Sequence, residues 1–430
     1  MFKNINCKNL PSLRRNIVYQ FLYELLIVFI PLFTIPYVSR VLGAENIGLF
    51  SYTYAVANYF VLFANLGIKN YGSRTIAMVR NNKEELNRNF SEILSIHIIF
   101  SIIVIFVYLV LLFFFVEDNL VIFLIQSIYI FAAVFDINWF FFGIEKFKLT
   151  VGRNTLVKIL SVFLVLVFVK TQTDLWIYAL ILALSVFVGQ SVVWFALKQY
   201  VSWRRPSWAN MKQHIRPLFV LFLPILALSL YKYMDKIMLG SISSNVQVGF
   251  YENAEKIINV PMSLIMAFGV VLMPRIANMV TSKDKGEVFK LIDMSMEAVM
   301  LLAIAISFGL AGISFVLAPI FFGYEFEECG ILIMGLAVTV PFMAFANVIR
   351  TQYLIPYKED KIFVVSLFLG AAVNLIVNII LIPYMAARGA VIGTIFAEII
   401  VCIYQSYFVR KKIFIKKYLL NTIPPILIGI

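Results

Sequence analysis

The sequence predicts an all-α, multi-pass membrane protein, and three observations lead to that prediction. Of the 430 residues, 62% are hydrophobic and only 14% are charged. A soluble domain is about half apolar and roughly a quarter charged, so this chain has too few polar side chains to cover a water-soluble fold. The apolar residues lie in runs of about 20, the length that crosses a hydrocarbon core of about 30 Å as a helix. Lysine and arginine are concentrated in alternate loops.

Twelve such apolar runs follow one another along the chain. Because the runs are continuously apolar, they exclude the alternating, shorter strands of a transmembrane β-barrel. The first run has the length of a full span and no small-residue cleavage site, so we expect no cleavable signal peptide. The predicted spans are residues 17–40, 48–67, 90–116, 120–143, 154–169, 175–197, 217–240, 249–273, 291–320, 330–354, 362–382 and 389–409, and a thirteenth apolar segment begins near Tyr418.

The distribution of charge predicts the orientation. With a cytoplasmic N-terminus, 28 of the 36 lysines and arginines lie in segments on the cytoplasmic face. The opposite loops carry acidic patches at Glu117-Asp118 and at residues 325–328. The positive-inside rule therefore predicts that the N-terminus is cytoplasmic. The formal net charge of +13 then reflects topology and contact with lipid headgroups, and we expect no nucleic-acid partner.

The chain also resembles itself at an offset of about 200 residues. Gly48-Leu49-Phe50 aligns with Gly249-Phe250-Tyr251, and Gly67 aligns with Gly269. Each copy holds six spans, an even number, so both copies enter the membrane in the same orientation. Parallel repeats are typical of transporters, whose substrate site lies where the repeats meet. We therefore predict two parallel six-helix bundles around a central cavity, at residues 1–213 and 214–417, followed by an incomplete thirteenth apolar segment at 418–430.

Charged residues inside the apolar spans are the candidate functional residues. Each costs about 2.5–3.5 kcal/mol at bilayer depth on insertion scales, so such side chains tend to face a cavity or one another. The alternative is that they extend to the membrane interface. We expect four cations, Lys158, Lys232, Lys236 and Arg350, to line the substrate cavity, and four carboxylates, Glu24, Asp136, Asp235 and Glu398, to be available for ion coupling.

No enzymatic motif accompanies these charges. His97 and His214 are the only histidines, and neither has a carboxylate or cysteine at ligand spacing, so we expect structural roles for both. The three cysteines, Cys7, Cys329 and Cys402, are too scattered for a disulfide framework or a metal site. No extramembrane segment is longer than about twenty residues, which leaves no room for a soluble catalytic domain. We therefore expect a protein that is not an enzyme, has no cofactor and no metal, and functions within its helical bundle.

Three stretches carry a family resemblance: residues 39–50 (SRVLGAENIGLF), 65–74 (NLGIKNYGSR) and 136–146 (DINWFFFGIEK). Later in the chain, Asn374, Asn378, Gly389-Ala390 and Glu398 lie where the family has an asparagine-containing eleventh span and a Gly-Ala entry to the twelfth. Together these stretches resemble the polysaccharide transporter family, of the O-antigen flippase type. The superfamily also includes the multidrug and toxin extrusion (MATE) antiporters. Residues 385–388 depart from the pattern, because the family more often has a glycine-rich turn there.

The resemblance implies a flippase of the bacterial plasma (inner) membrane. Such a protein moves an undecaprenyl-diphosphate-linked oligosaccharide from the cytoplasmic to the outer leaflet by alternating access, for O-antigen- or capsule-type polysaccharide. Its implied partners are that lipid-linked oligosaccharide, membrane lipid, a polysaccharide polymerase and a chain-length regulator. Coupling to a proton or a sodium gradient stays open. Two alternatives also stay open: a cation-coupled drug antiporter of the same superfamily, and a membrane polysaccharide polymerase, which the short outer loops disfavour.

Overall fold

The computed structural model describes residues 10–281, 285–413, 415, 417 and 418, and the regular structure in them is entirely helical. Short 3-10 turns occupy Gln172–Asp174 and Tyr324–Phe326, and a π turn occupies Arg350–Leu354. The helices are α1 (Leu10–Asn65), α2 (Ile68–Val79), α3 (Lys83–Phe115), α4 (Leu120–Val134), α5 (Asn138–Gly143), α6 (Phe147–Phe168), α7 (Leu175–Leu197), α8 (Trp208–Ile242), α9 (Asn245–Thr281), α10 (Lys285–Phe322), α11 (Cys329–Ala337), α12 (Thr339–Ile349), α13 (Asp360–Met385) and α14 (Ala387–Val409).

The twelve predicted spans all fall on these helices. Ten helical stretches in the described residues are long and apolar enough to cross a membrane. The fold class is thus confirmed as an all-helical membrane protein with ten to twelve helices of membrane-spanning kind. The arrangement of two bundles around a central cavity stays a prediction, and residues 419–430 of the predicted thirteenth segment lie outside the described residues.

The helices are broken at three places in or between the predicted spans. The first two spans form one element, α1, which is interrupted at Gly43, where φ is 77° and ψ is 171°. Glycine adopts this backbone conformation without the steric penalty that a Cβ would add. The helix resumes at Ala44, whose backbone N–H donates to Glu325 Oε1 at 2.9 Å. The Glu325 carboxylate thereby satisfies one of the N–H groups that a helix start leaves without a partner.

The fourth and tenth predicted spans are also divided. The fourth is α4 followed by the short α5, and Asp136 lies between them. Asp136 Oδ1 accepts hydrogen bonds from the backbone N–H of Asn138 at 3.0 Å and from Asn138 Nδ2 at 2.7 Å. A side chain that bonds nearby backbone in this way competes with the helical ladder and favours a helix start. The tenth span comprises α11, α12 and the π turn.

The chain divides into two compact units. The first unit holds the residues up to Leu42 together with Thr53–Leu226, and the second holds Gly43–Tyr52 and the residues from Ala227 onward. In the first unit, Phe90 stacks on Trp139 with ring centroids 5.5 Å apart and meets Phe140 edge-on at 5.0 Å. These rings lie in an apolar core to which α2, α3, α5 and α8 contribute. The predicted domain boundary at residues 213/214 stays a prediction.

In the second unit, two repeat-related glycines lie at a close crossing. A Cβ atom added to Gly48 would lie 1.6 Å from the Asn245 carbonyl oxygen, and one added to Gly249 would lie 2.1 Å from the Ala44 carbonyl oxygen. Only glycine fits at either position. The sequence repeat that aligns Gly48 with Gly249 also aligns Ala44 with Asn245, so the contact is reciprocal. The positions paired by the repeat are therefore in contact with each other.

Candidate functional site

Asp235 lies at the centre of a polar cluster in the second unit. Its side chain is buried in α8 at 4% exposure. Oδ1 accepts a hydrogen bond from Asn378 Nδ2 at 2.5 Å. Oδ2 accepts one from the Tyr251 hydroxyl at 2.6 Å and one from the Thr394 hydroxyl at 3.1 Å. Asn374 also hydrogen-bonds the carboxylate. We call these five residues the Asp235 cluster, and the four hydrogen-bond donors are all neutral groups.

The asparagines of the cluster leave one oxygen available. Asn374 and Asn378 are four residues apart on α13 and so share a helix face. Asn378 Nδ2 also donates to Asn374 Oδ1 at 3.1 Å, while the buried Oδ1 of Asn378 has no hydrogen-bond partner among the described residues. The cluster thus combines a carboxylate, two hydroxyls and an unsatisfied amide oxygen. Oxygen ligands of this kind accept a proton or bind a hard cation.

Lys236, the next residue, belongs to a different cluster. Its side chain is 9% exposed, and its Nζ lies 2.5 Å from Glu252 Oε2 and 2.8 Å from Glu255 Oε2. Lys256 Nζ lies 3.1 Å from Glu252 Oε1. We call Lys236, Glu252, Glu255 and Lys256 the Lys236 network. Two cations and two carboxylates give it no net charge, so the protein itself compensates the charge of Lys236.

The other predicted cations are less enclosed. Lys158 and Lys232 are exposed on α6 and α8, and Lys232 Nζ lies 5.4 Å from the ring centroid of Tyr233. Arg350, in the π turn, is half-buried. Its Nη2 donates to Asn347 Oδ1 at 2.7 Å, and its guanidinium group lies 5.4 Å from the ring centroid of Phe363.

The remaining predicted carboxylates have separate surroundings. Glu398 is buried in α14 and interacts electrostatically with Arg350. Asp136 caps the start of α5. Glu24 lies in α1, outside the residues whose side chains the structure describes. The structure therefore brings Arg350 and Glu398 together, whereas Asp235 and Lys236, although consecutive in sequence, belong to separate clusters.

Sequence spacing missed one buried cluster entirely. No carboxylate stands at ligand spacing from His214 along the chain, but in the fold His214 Nε2 lies 2.9 Å from Glu92 Oε2, and Nδ1 lies 2.6 Å from the Tyr71 hydroxyl. Because 122 residues separate Glu92 from His214, no local pattern could have revealed the pair. Throughout residues 10–281 and 285–413, no three histidine, cysteine, aspartate or glutamate side chains are grouped to hold a metal ion.

Comparison with known proteins identifies relatives along almost the whole chain. A family described as "Polysaccharide biosynthesis protein" matches residues 13–280. A protein of Shigella dysenteriae named "Putative O-antigen transporter" is 24% identical over 408 residues, which cover 91% of this chain and 99% of that protein. The protein of the same name from Escherichia coli strain K12 is 26% identical over 411 residues, which cover 94% of this chain and 98% of that protein. Both relatives are named as transporters, in agreement with the prediction that this chain is not an enzyme.

Solved structures show the same relationship at the level of the fold. The lipid II flippase MurJ in its inward closed conformation has a TM-score of 0.74 and 16% identity, covering 96% of this chain and 91% of that one. An inward-facing multidrug resistance transporter of the MATE family has a TM-score of 0.68 and 13% identity, and the match covers 93% of this chain and 98% of that one. The fold is that of MurJ and the MATE transporters. The chain is a multi-pass membrane protein of a transporter family with bacterial members, and it belongs to the polysaccharide biosynthesis protein family.

Proposed function

We propose that the protein is a flippase that moves an undecaprenyl-diphosphate-linked oligosaccharide from the cytoplasmic to the outer leaflet of the bacterial plasma membrane. In this proposal the N-terminus is cytoplasmic and transport proceeds by alternating access. The O-antigen repeat unit is the class of substrate, because the relatives that align along the whole chain are named for O-antigen transport. A polymerase and a chain-length regulator would use the product in the same pathway.

Moving a polar head group across the membrane requires polar side chains inside the apolar helical bundle. A hydroxyl stripped of its hydrogen bonds costs several kcal/mol in hydrocarbon, and a bare diphosphate costs far more. The polyprenyl tail can stay in lipid while the head group passes through protein. We propose Lys158, Lys232 and Arg350 as contacts for the diphosphate. Lys236 can serve only when a carboxylate of its network is released, because Glu252 and Glu255 neutralise it in this structure.

The Asp235 cluster is the observation that carries the mechanism. A buried ionised carboxylate with no cationic partner is expensive in a low-dielectric interior. The hydrogen-bond donors to Asp235 are neutral, and the unsatisfied Oδ1 of Asn378 belongs to the same cluster. A proton or a sodium ion bound there would compensate the negative charge of Asp235, so we assign the coupling ion to this residue. Asp136 and Glu398 are weaker candidates, since one caps a helix and the other interacts with Arg350.

Asp235→Asn tests the proposal because it removes the negative charge with little change of shape. In cells whose chromosomal copy of the gene is deleted, we expect the variant to reduce surface polysaccharide by about tenfold or more. Losing only about 1.4 kcal/mol of the free energy that ion binding contributes to transport changes an equilibrium tenfold. Asp118→Asn, in an exposed loop, is the matched control and should leave polysaccharide unchanged. Normal polysaccharide from Asp235→Asn at normal protein level by immunoblot would contradict the assignment.

The identity of the ion is tested on purified protein. A ligand that binds only the folded state raises the unfolding temperature as its concentration rises. If the ion is sodium, NaCl should stabilise the wild type more than KCl does at equal ionic strength. If it is a proton, lowering the pH should stabilise the wild type without a sodium effect. Asp235→Asn should lose whichever response is found, and a response that survives in this variant would place the ion elsewhere.

A further inference from the structure

The cluster formed by Tyr71, Glu92 and His214 lies in the first unit and is separate from the Asp235 cluster of the second. The three residues come from α2, α3 and α8. His214 is 3% exposed and Glu92 is 1% exposed. Both ring nitrogens of His214 are engaged, Nε2 with Glu92 Oε2 at 2.9 Å and Nδ1 with the Tyr71 hydroxyl at 2.6 Å. We call this chain of groups the His214 relay.

Residues of the apolar core flank the relay along α3 and α8. Neighbouring positions on α3 and α8, including Ile93 and Met211, belong to the apolar core of the first unit. Within the described part of the chain, the titratable groups that hydrogen-bond His214 are Tyr71 from α2 and Glu92 from α3. Arg74, also on α2, acts electrostatically on Tyr71, and Thr75 hydrogen-bonds the Tyr71 side chain. Any change of charge on His214 is therefore felt mainly by Glu92.

The geometry suits two protonation states of the imidazole. In the neutral state, the Tyr71 hydroxyl donates to Nδ1 and Nε2–H donates to the Glu92 carboxylate, which leaves one buried negative charge. When a proton is added at Nδ1, that N–H donates to the Tyr71 oxygen, and the Tyr71 hydroxyl turns towards its other partner, Thr75. Nε2–H stays on Glu92. Both hydrogen bonds of His214 survive, and the imidazolium and carboxylate together carry no net charge.

We propose that the His214 relay is a reversible proton-binding site of the first unit, in which Nδ1 takes up one proton and the hydrogen bond to Tyr71 reverses. Histidine is the side chain whose charge ordinarily changes between about pH 5 and 8. Binding cancels a buried negative charge where three helices meet, so proton occupancy is coupled to the packing of α2, α3 and α8. This proton site is distinct from the ion-binding site that we assign to Asp235.

His97 provides an internal comparison. It is fully buried in α3, and neither of its ring nitrogens has a hydrogen-bond partner among the described residues. An imidazolium there would have no acceptor for either N–H, so His97 should stay neutral over the same pH range. Because the chain has only two histidines, the two behaviours can be separated in one experiment.

The test is a pH titration of the full-length purified protein, labelled with 15N-histidine and followed by NMR of the ring nitrogens. The variant His97→Gln leaves His214 as the single labelled histidine, and His214→Gln assigns its signals by subtraction from the wild type. We expect the His214 signals to change reversibly, as the pH is lowered, from those of a neutral ring protonated at Nε2 to those of an imidazolium. A His214 ring that keeps one form across the whole pH range in which the protein stays folded would overturn the proposal.

Glu92→Gln tests the role of the carboxylate. At a pH where both forms of His214 are populated, removing this negative charge should lower the ratio of imidazolium to imidazole by about tenfold or more. Glu84→Gln is the matched control, since Glu84 lies on the same helix, is exposed and pairs with Arg204, and it should leave the ratio unchanged. An unchanged ratio in folded Glu92→Gln would also overturn the relay. If Glu92→Gln does not fold, the titration of His97→Gln alone decides, and neither measurement depends on the flippase assignment.

Discussion

Asp235 and Lys236 are consecutive residues of α8, yet the protein treats their charges in opposite ways. Successive residues of a helix point about 100° apart, so the two side chains enter different clusters. Two carboxylates, Glu252 and Glu255, neutralise Lys236. Asp235 receives hydrogen bonds from neutral groups such as Tyr251 and Asn378. A buried charge that the protein compensates holds the fold together, whereas one held by neutral donors can be compensated by a mobile cation.

The largest effect on stability is expected for Lys236→Ala. Removing one partner of a buried ion pair leaves the other charges uncompensated and costs about 3–5 kcal/mol. Thermal unfolding of the purified protein in detergent should therefore begin at a markedly lower temperature. Lys256→Ala is the control, because Lys256 is 32% exposed and pairs with a single carboxylate, Glu252, among the described residues; its expected cost is about 1 kcal/mol or less. Equal unfolding temperatures for Lys236→Ala and the wild type would show that the network is not structural.

A smaller effect is expected for Tyr251→Phe, which removes the hydroxyl that donates to Asp235 Oδ2 at 2.6 Å. A hydrogen bond to a charged group contributes about 1.5–3 kcal/mol. In the Asp235→Asn background the same change should cost less, since the acceptor is then neutral, and a double-mutant cycle of unfolding free energies measures the difference. Tyr384→Phe, at a side chain that is 86% exposed, should change nothing. An equal cost in both backgrounds would argue against an ionised Asp235.

The smallest effect on stability is expected for Lys232→Ala, although its effect on transport should be large. Lys232 is exposed, and substitutions at such positions usually stay within about 0.5 kcal/mol. If its amine contacts the diphosphate, surface polysaccharide should fall several-fold, and Lys232→Arg should recover part of it by keeping the charge. Lys412→Ala, at an exposed residue near the C-terminal end of the described chain, is the control. Normal polysaccharide from Lys232→Ala would remove Lys232 from the proposed substrate contacts.

The sequence predicted the fold class because the length of an apolar run and the side of the membrane that collects cations are local properties. It also singled out Asp235, since a carboxylate in an apolar span is costly wherever the span packs. It could not predict that Tyr251 and Thr394 would bind that carboxylate, because those contacts depend on how α9 and α14 pack against α8. Nor could the cost of Lys236 in lipid reveal that Glu252 and Glu255 pair with it. Local patterns therefore identified costly charges but not their partners.

The crossing of Gly48 and Gly249 bears on the ancestry of the chain. Each repeat presents the same glycine to the same carbonyl position of the other. Contacts of this form are isologous, the kind that two identical subunits make across a twofold axis. If the predicted six-helix repeats arose by duplication, a precursor with this glycine would carry both halves of the contact, and fusion would turn a homodimer interface into an internal one. Since neither position has room for a Cβ atom, we expect a substitution of either glycine to force the two backbones apart.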